Sequence, residues 1–482
     1  MLIVNEISLN RFITYTNSVY DIEKKFKGLS RKNYDADTKA STIAKTLFAS
    51  FLCGHKSINA LDEINNNKKL DLRMLYTKRE YVPRMHGLRD CVIDTDYHQL
   101  ETINRDLILK AKENKVFRKN TIDGLCVMGW DGVELNETNK DIEGLPEREY
   151  DKEDVRKYLK FLVGMNIGER ANILITSKQL LEIEKITTKS GNERAKTFGE
   201  TKAFQKIWSD TEKLIGRVID VHVFDALYLD QYITTLIDKA NKYFVIRLKE
   251  KNKIIYEDAK KLFDSRKADY EYEIVEIITV KDIKYSSKAK KKDVIKTKIK
   301  KEKRKIKEVK LGEKILKEEY TQTKKNSTVK VKKYERVVTR KKVWDDLFEL
   351  TGYEKDVRVV RSIETNYDNG KETVQELYVV TNMLEHDVET ILKIMHLRWN
   401  IENCGFRTLK QRYNINHIYI GELNAINYIV QMIFLVFNLL ELYIKYRLKI
   451  EIDMSWDTIF KIFERELHYN KVLIDLFNPP GF

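Results

Sequence analysis

The sequence predicts an α/β protein: a mixed sheet with helices, interrupted by a β-rich basic insertion and preceded by an N-terminal helical domain. Three observations predict it. The hydrophobic period changes from helical to strand-like near residue 125, strands and helices then alternate, and one stretch carries the whole basic excess. The chain has 482 residues, 42% apolar and 34% charged, which is room for two or three domains and a buried core. That balance excludes a disordered chain. The cysteines Cys53, Cys91, Cys126 and Cys404 form no CxxC pair, so neither a disulfide scaffold nor a zinc ribbon is expected, and a reducing cytoplasm is the default. The opening MLIVNEISLNRF lacks a basic flank before an apolar run and cleavage site, so no secretory signal is expected.

Residues 1–120 read as helical, because STIAKTLFASFLCG and HQLETINRDLILKAKENKVF place apolar residues at helical spacing. A catalytic-core segment, 121–249, follows. In it LCVMGWDGVEL, YLKFLVGMNIG and ANILITS read as three strands and FGETKAFQKIWSDTEKLI as a helix. The alternating RVIDVHVFD is a fourth strand, LYLDQYITTLIDKAN a second helix and YFVIRLK a fifth strand. The order β-β-β-α-β-α-β is that of a ribonuclease H-like mixed sheet, in which the first and fourth strands lie side by side. After Lys249 the order breaks. YEYEIVEIITV, STVKVKKYERVVT, VRVVRSI and ELYVVTN are strand-like, with a turn signal at Asp368-Asn369-Gly370, so 250–385 is expected to be a mostly β insertion. A long helix, HDVETILKIMHLRWNIENCGFRTLKQRY, reopens the core over 386–450, and 451–482 is a helical tail.

The apolar run Tyr428–Ile444 has 17 residues and contains Gln431, Asn438 and Glu441. A membrane span needs about 20 mostly apolar residues, so a buried helix is expected. Between Lys281 and Lys342 there are 26 Lys and Arg against 8 Asp and Glu, a net of +18, while the rest of the chain is at −3. A block so concentrated is the footprint of a polyanion partner, since each neutralised phosphate releases counterions. Lys290, Lys291 and Lys292 are the candidate DNA contacts of the arm. The plain alternative is a solvated lysine-rich loop. Trp344, just beyond the block, is either a base-stacking residue or a core anchor.

Three acidic residues fall where a metal site needs them: Asp131 ending or interrupting the first strand, Asp225 at the end of the fourth, and Glu402 on the helix after the insertion. Hard cations such as Mg²⁺ take oxygen ligands, and two of them ~3.5–4 Å apart clamp an in-line phosphoryl transfer. Asp123 and Glu134 compete for the first place and Asp220 for the second. Each choice also has an ordinary reading. Asp131 before Gly132 suits a hairpin, Asp225 a helix N-cap, and Glu402 an ion pair with Arg398 four residues earlier.

WNIENCGFRTLKQRY resembles the Tyr-Arg-Glu-Lys signature helix of bacterial insertion-sequence DDE transposases. VFDALYLDQY followed by FVIRLK resembles their second aspartate region, and TIDGLCVMGWDGVEL their first, over roughly residues 80–440. The resemblance implies Asp131, Asp225 and Glu402 as catalytic metal ligands for two Mg²⁺ ions, with Mn²⁺ as a substitute. It implies DNA contacts from Arg398 and Lys410, and Arg407 is a further candidate. It implies double-stranded DNA as partner, both element terminal inverted repeats and target, a homodimer in the synaptic complex, and a prokaryotic, cytoplasmic, nucleoid-associated enzyme. Two departures stand out: Met395 replaces the signature tyrosine, and Lys410 is eight residues from Glu402 where seven is usual, with Leu409 in its place. On a regular helix eight residues is ~80° of rotation and seven ~20°, so Lys410 is expected to be displaced. Trp399, Ile401, Phe406 and Leu409 are expected in the core. The rival functions are a metal-dependent DNA nuclease without strand transfer and a catalytically inactive DNA-binding descendant.

Overall fold

The run LCVMGWDGVEL becomes an eight-residue strand, β1 (Val127–Glu134), whose apolar side chains are almost all buried. The structure, a computed structural model, describes residues 7–33, 38–59, 83–135, 137–151, 154–181, 183–187, 193–197, 199–249, 254–285, 295–306, 315–324, 327–368, 371–448 and 456–469. The chain divides into two units. The first comprises residues 1–228, 239–243 and 393–482, the second 229–238 and 244–392.

In the first unit the chain continues through β2 (Glu147–Asp151), β3 (Asp154–Lys157), β4 (Lys160–Ile167), β5 (Asn172–Gln179), β6 (Ile183–Thr187), β7 (Glu193–Thr197) and β8 (Val221–Phe224). β1 pairs antiparallel with β4 along its full length, and β4 with β5. The other edge of β1 takes β8 in parallel, Val127 opposite Val221 and Gly129 opposite Val223. The order β5-β4-β1-β8 is the expected ribonuclease H-like mixed sheet, with the first and fourth predicted strands adjacent. Two hairpins, β2–β3 and β6–β7, were not expected.

β5 has an open edge, and the helix Leu423–Leu442 supplies its missing partners. Asn438 accepts from the Leu174 N–H at 2.8 Å and donates to the Leu174 carbonyl at 2.8 Å. Glu441 accepts from the Asn172 N–H at 3.3 Å, and Gln431 donates to Ser177 Oγ at 3.3 Å. An unpaired edge would leave buried backbone groups without partners. The polar residues of this apolar helix are therefore structural, and the expected buried helix is found. Leu423–Arg447 is long and apolar enough to cross a membrane, and 89% of its most apolar window is buried inside the protein.

The N-terminal segment is helical: Leu9–Tyr20, Ile22–Lys27, Ala40–Leu52, Met85–Asp94, His98–Glu113 and Val116–Lys119. Asn424 closes the end of Met85–Asp94, donating to the carbonyls of Val92, Ile93 and Thr95 at 3.3, 2.9 and 2.8 Å. These are carbonyls that a helix C-terminus leaves unpaired.

The second unit is an antiparallel sheet of β9 (Tyr243–Leu248), β10 (Tyr270–Tyr285), β11 (Ile295–Ile306), β12 (Ile315–Lys324), β13 (Ser327–Glu349), β14 (Asp356–Asp368) and β15 (Lys371–Thr381). Its order is β11-β10-β13-β14-β15-β9, with β12 also on β13. The basic stretch contributes strand backbone to β10, β11, β12 and β13, while Lys290, Lys291 and Lys292 lie outside the described residues. β14 and β15 pair Asp368 with Lys371, and Asn369 and Gly370 are likewise outside the described residues. The helix Ile254–Asp264 was not expected; it buries Ile255, Tyr256, Ala259 and Phe263. Trp344 is a core residue, donating through Nε1 to the Arg266 carbonyl at 3.1 Å under the Arg361 guanidinium, 4.7 Å from its ring centre.

Candidate active site

The β1–β8 register ends at Gly129 opposite Val223, so Asp131 lies two residues further along β1 and Asp225 just beyond the end of β8. Alternation puts Asp131 on the face of Gly129. That face receives the helical segment Ile401–Phe406. A side chain at Gly129 would run into Ile401 Cδ1, and one at Gly405 would meet Met165 Cε at 2.7 Å. Missing side chains on both sides of the seam let the segment sit directly on β1 and β4, and Glu402 reaches the arginine that also reaches Asp131. Asp131 stands inside β1, which runs on to Glu134, and so corrects the reading that it ends or interrupts the strand. Asp225 follows the last residue of β8, and its carbonyl accepts from the Tyr228 N–H at 3.1 Å to open a 3-10 turn, Ala226–Tyr228.

Arg398 joins two of the three carboxylates. Its Nη2 donates to Glu402 Oε1 at 2.9 Å and its Nη1 to Asp131 Oδ2 at 3.3 Å. The arginine side chain is 3% exposed, that of Asp131 21% and that of Glu402 50%. Asp131 Oδ1 also accepts from the Gly132 N–H at 2.9 Å. Burial pushes the Asp131 carboxyl up to about 6; Arg398 and the Gly132 amide pull against this, while Glu402 and Glu200 add to it.

The rival acids are all engaged elsewhere. Asp123 takes Lys393 at 2.6 Å, Glu134 takes Arg148 at 2.8 Å, and Asp220 Oδ2 accepts from the Cys126 N–H at 2.8 Å.

Ile401–Phe406 is a π-helical segment, in which the Arg407 N–H reaches back five residues to the Glu402 carbonyl. Such a wide turn takes up one residue more than an α turn. The expected displacement of Lys410 is thereby corrected: eight residues across the wide turn cover about the rotation of seven on a regular helix, leaving Lys410 ~20° from Glu402. Lys410 and Arg407 are both exposed, and Arg407 Nε donates to Gln411 Oε1 at 3.3 Å. Ile401, Phe406 and Leu409 are buried as expected, whereas Trp399 is half-buried and edge-on to His396.

Sequence reasoning passed over a further carboxylate. Glu200, the first residue of the helix Glu200–Thr211, is buried, with Oε1 2.6 Å from Lys160 Nζ and Oε2 accepting from the Tyr228 hydroxyl at 2.8 Å. Behind the sheet, Trp130 Nε1 donates to His222 Nδ1 at 3.0 Å among Phe204, Trp208 and Phe224.

Among the described residues no three His, Cys, Asp or Glu side chains stand close enough together, as placed, to hold a metal ion. Asp131, Asp225 and Glu402 are all carboxylates, the donor type that hard cations take, but as placed they are not gathered round one point. The positive charge between Asp131 and Glu402 is that of Arg398.

No family model matches the chain, and no curated protein matches it. A solved structure that resembles it is the cryo-EM structure of a piggyBac transposase synaptic complex with hairpin DNA. The likeness has 11% identity and a TM-score of 0.41, over 100% of this chain and 80% of the other.

Proposed function

We propose that the chain is a DDE transposase of bacterial insertion-sequence type, cutting DNA at the ends of a mobile element and joining the freed 3′-hydroxyl to target DNA. One observation carries this reading: the buried Arg398 joins Asp131 of β1 to Glu402 of the helical stretch after the insertion, while Asp225 leaves the end of β8, the parallel neighbour of β1. Asp131, Asp225 and Glu402 would hold two Mg²⁺ ions, or Mn²⁺ in their place, which when bound supply Lewis acidity to the oxygens of an in-line phosphoryl transfer. Arg398 exchanges its carboxylates for a DNA phosphate, which its planar fork holds bidentately. Lys410 and Arg407, on the same helical stretch, add backbone contacts. No covalent protein intermediate is required, since positioning and charge stabilisation supply the acceleration.

In this reading residues 1–120 bind the terminal inverted repeats, 250–385 adds phosphate contacts through its lysine-rich arm, and 121–249 with 386–450 performs the chemistry, leaving 451–482 as a tail. Two ends cut together call for a homodimer, working on the nucleoid of a prokaryotic cytoplasm. The test is incubation of the protein with pre-cut element ends, target DNA and Mg²⁺. Joined products support the transposase. Cleavage without joining would make it a nuclease, and binding without either reaction an inactive descendant.

A further inference from the structure

The turn that follows Asp225 is held from outside the proposed ligand set. Tyr228 closes that turn with its backbone and sends its hydroxyl, 2.8 Å away, to Glu200. The Tyr228 side chain is almost fully buried against Phe224 and Phe204, so the hydroxyl has a single direction to point. Glu200 spends its other oxygen on Lys160, the first residue of β4, at 2.6 Å. The pair lies over Gly132: a side chain there would run into Glu200 Oε1 and meet Lys160 Cε at 2.9 Å. Glu200 therefore ties together β4, the residue after Asp131 and the turn after Asp225, the two segments that present the aspartates. Each of its oxygens already has a partner, which is the position of a brace and not of a ligand.

We infer that Glu200 is a positioning residue: held by Lys160, it latches Tyr228 and so fixes the Asp225 turn against β1. The inference rests on the proposed function for its catalytic consequence, though the latch itself is a property of the fold. Burial and Glu200 both hold the Tyr228 hydroxyl protonated, so it remains the donor.

The test uses the full chain with Tyr228→Phe, which removes one hydroxyl, and Glu200→Gln, which keeps shape and an acceptor, beside Glu200→Ala. Hydrogen exchange is followed at Ala226–Tyr228 and at β4, together with DNA affinity and single-turnover cleavage. Turn amides should exchange about tenfold faster in Tyr228→Phe and Glu200→Ala with β4 unchanged, and Glu200→Gln should restore part of the protection. Cleavage should slow in the same order at unchanged DNA affinity. Unchanged exchange in Tyr228→Phe would overturn the latch whatever happens to cleavage. Lost cleavage in Glu200→Gln with an undisturbed turn would also overturn it, making Glu200 a ligand. A wild-type protein with no cation-dependent cleavage would sink the transposase reading instead, and the exchange measurement would still decide the latch.

Discussion

Buried charge is handled differently in the two units. Among the described residues of the second unit the buried charges are cations with matched partners. Arg361 has Asp264 and Glu376 each at 2.7 Å and aromatic faces 4.7 and 5.4 Å from its guanidinium, and Lys341 has Glu364 at 2.9 Å. The acids paired with Arg361 stay partly in water, 52% and 40% exposed. In the first unit two carboxylates stand out. Burial outweighs the partners of Asp131, pushed up to about 6, and of Glu441, pushed up to about 7. The first arrangement is a clip, with nothing left to recruit. The second leaves negative charge short of compensation, and at Asp131 this occurs beside Glu402, with which it shares Arg398.

The largest expected effect tests whether that difference is functional. Asp225→Asn and Glu402→Gln should each take Mg²⁺-dependent cleavage below detection, while DNA affinity stays the same or rises slightly as repulsion of phosphate falls. Arg361→Met, in the matched cluster, should cost about 1–2 kcal/mol in urea unfolding and leave the cleavage rate within about twofold. Undiminished cleavage in either carboxylate variant would erase the distinction between the two regions.

Next in size is the pair on the signature helix. Arg398→Ala should slow single-turnover cleavage more than about tenfold, or ~1.4 kcal/mol of transition-state stabilisation. Because the π segment returns Lys410 to the side of Glu402, Lys410→Ala should cost a similar factor, where a regular helix would make it milder. A negligible loss for Lys410→Ala would show that the wide turn has no bearing on how DNA phosphate is held.

The arm offers a smaller, graded effect. Deleting residues 284–342 should lower DNA affinity and flatten the plot of log K against log salt, by about 0.9 for each phosphate that the arm no longer neutralises. An unchanged slope would make the lysine-rich strands a solvated surface and leave polyanion binding to the first unit.

How far the site was legible depended on how local its causes are. β8 declared itself by alternation and β1 by the change of period near residue 125, and the order of elements placed the two strands side by side. The reading that Asp131 ends or interrupts the strand failed because the glycine after it answers a neighbour, the Glu200–Lys160 pair. Glu200 itself was invisible, since Lys160 and Tyr228 meet it only through the fold. The π turn was equally hidden, for Ile401 and Gly405 meet β1 and β4 only through the fold, and only the odd spacing of Lys410 hinted at it. The helix Ile254–Asp264 was different, for Ile255, Ala259 and Phe263 carried a helical period that was overlooked where the strand pattern broke off.

The smallest effect asks whether a raised carboxyl alone marks a functional site, and Glu441 is the control. Its carboxylate is buried in the helix Leu423–Leu442, accepts from the Asn172 N–H at 3.3 Å, and supports the β5 edge. Its folded pKa, about 7 against an ordinary 4.5, lies above the unfolded value. Below about pH 4.5 both states are protonated and the group is neutral to stability. As pH rises from there to about 7 the unfolded chain ionises first, so stability is lost across that window and stays lost above it. Glu441→Gln keeps an acceptor for Asn172 and removes the titration. It should therefore raise urea-unfolding stability at pH 8 by on the order of 1–3 kcal/mol, a gain that shrinks to nothing near pH 4.5. Cleavage at pH 8 should be unaffected, unlike that of the carboxylate variants at the seam. A gain independent of pH would show that the carboxyl titrates alike in the folded and unfolded chain, and a loss of cleavage would tie the β5 edge to the chemistry.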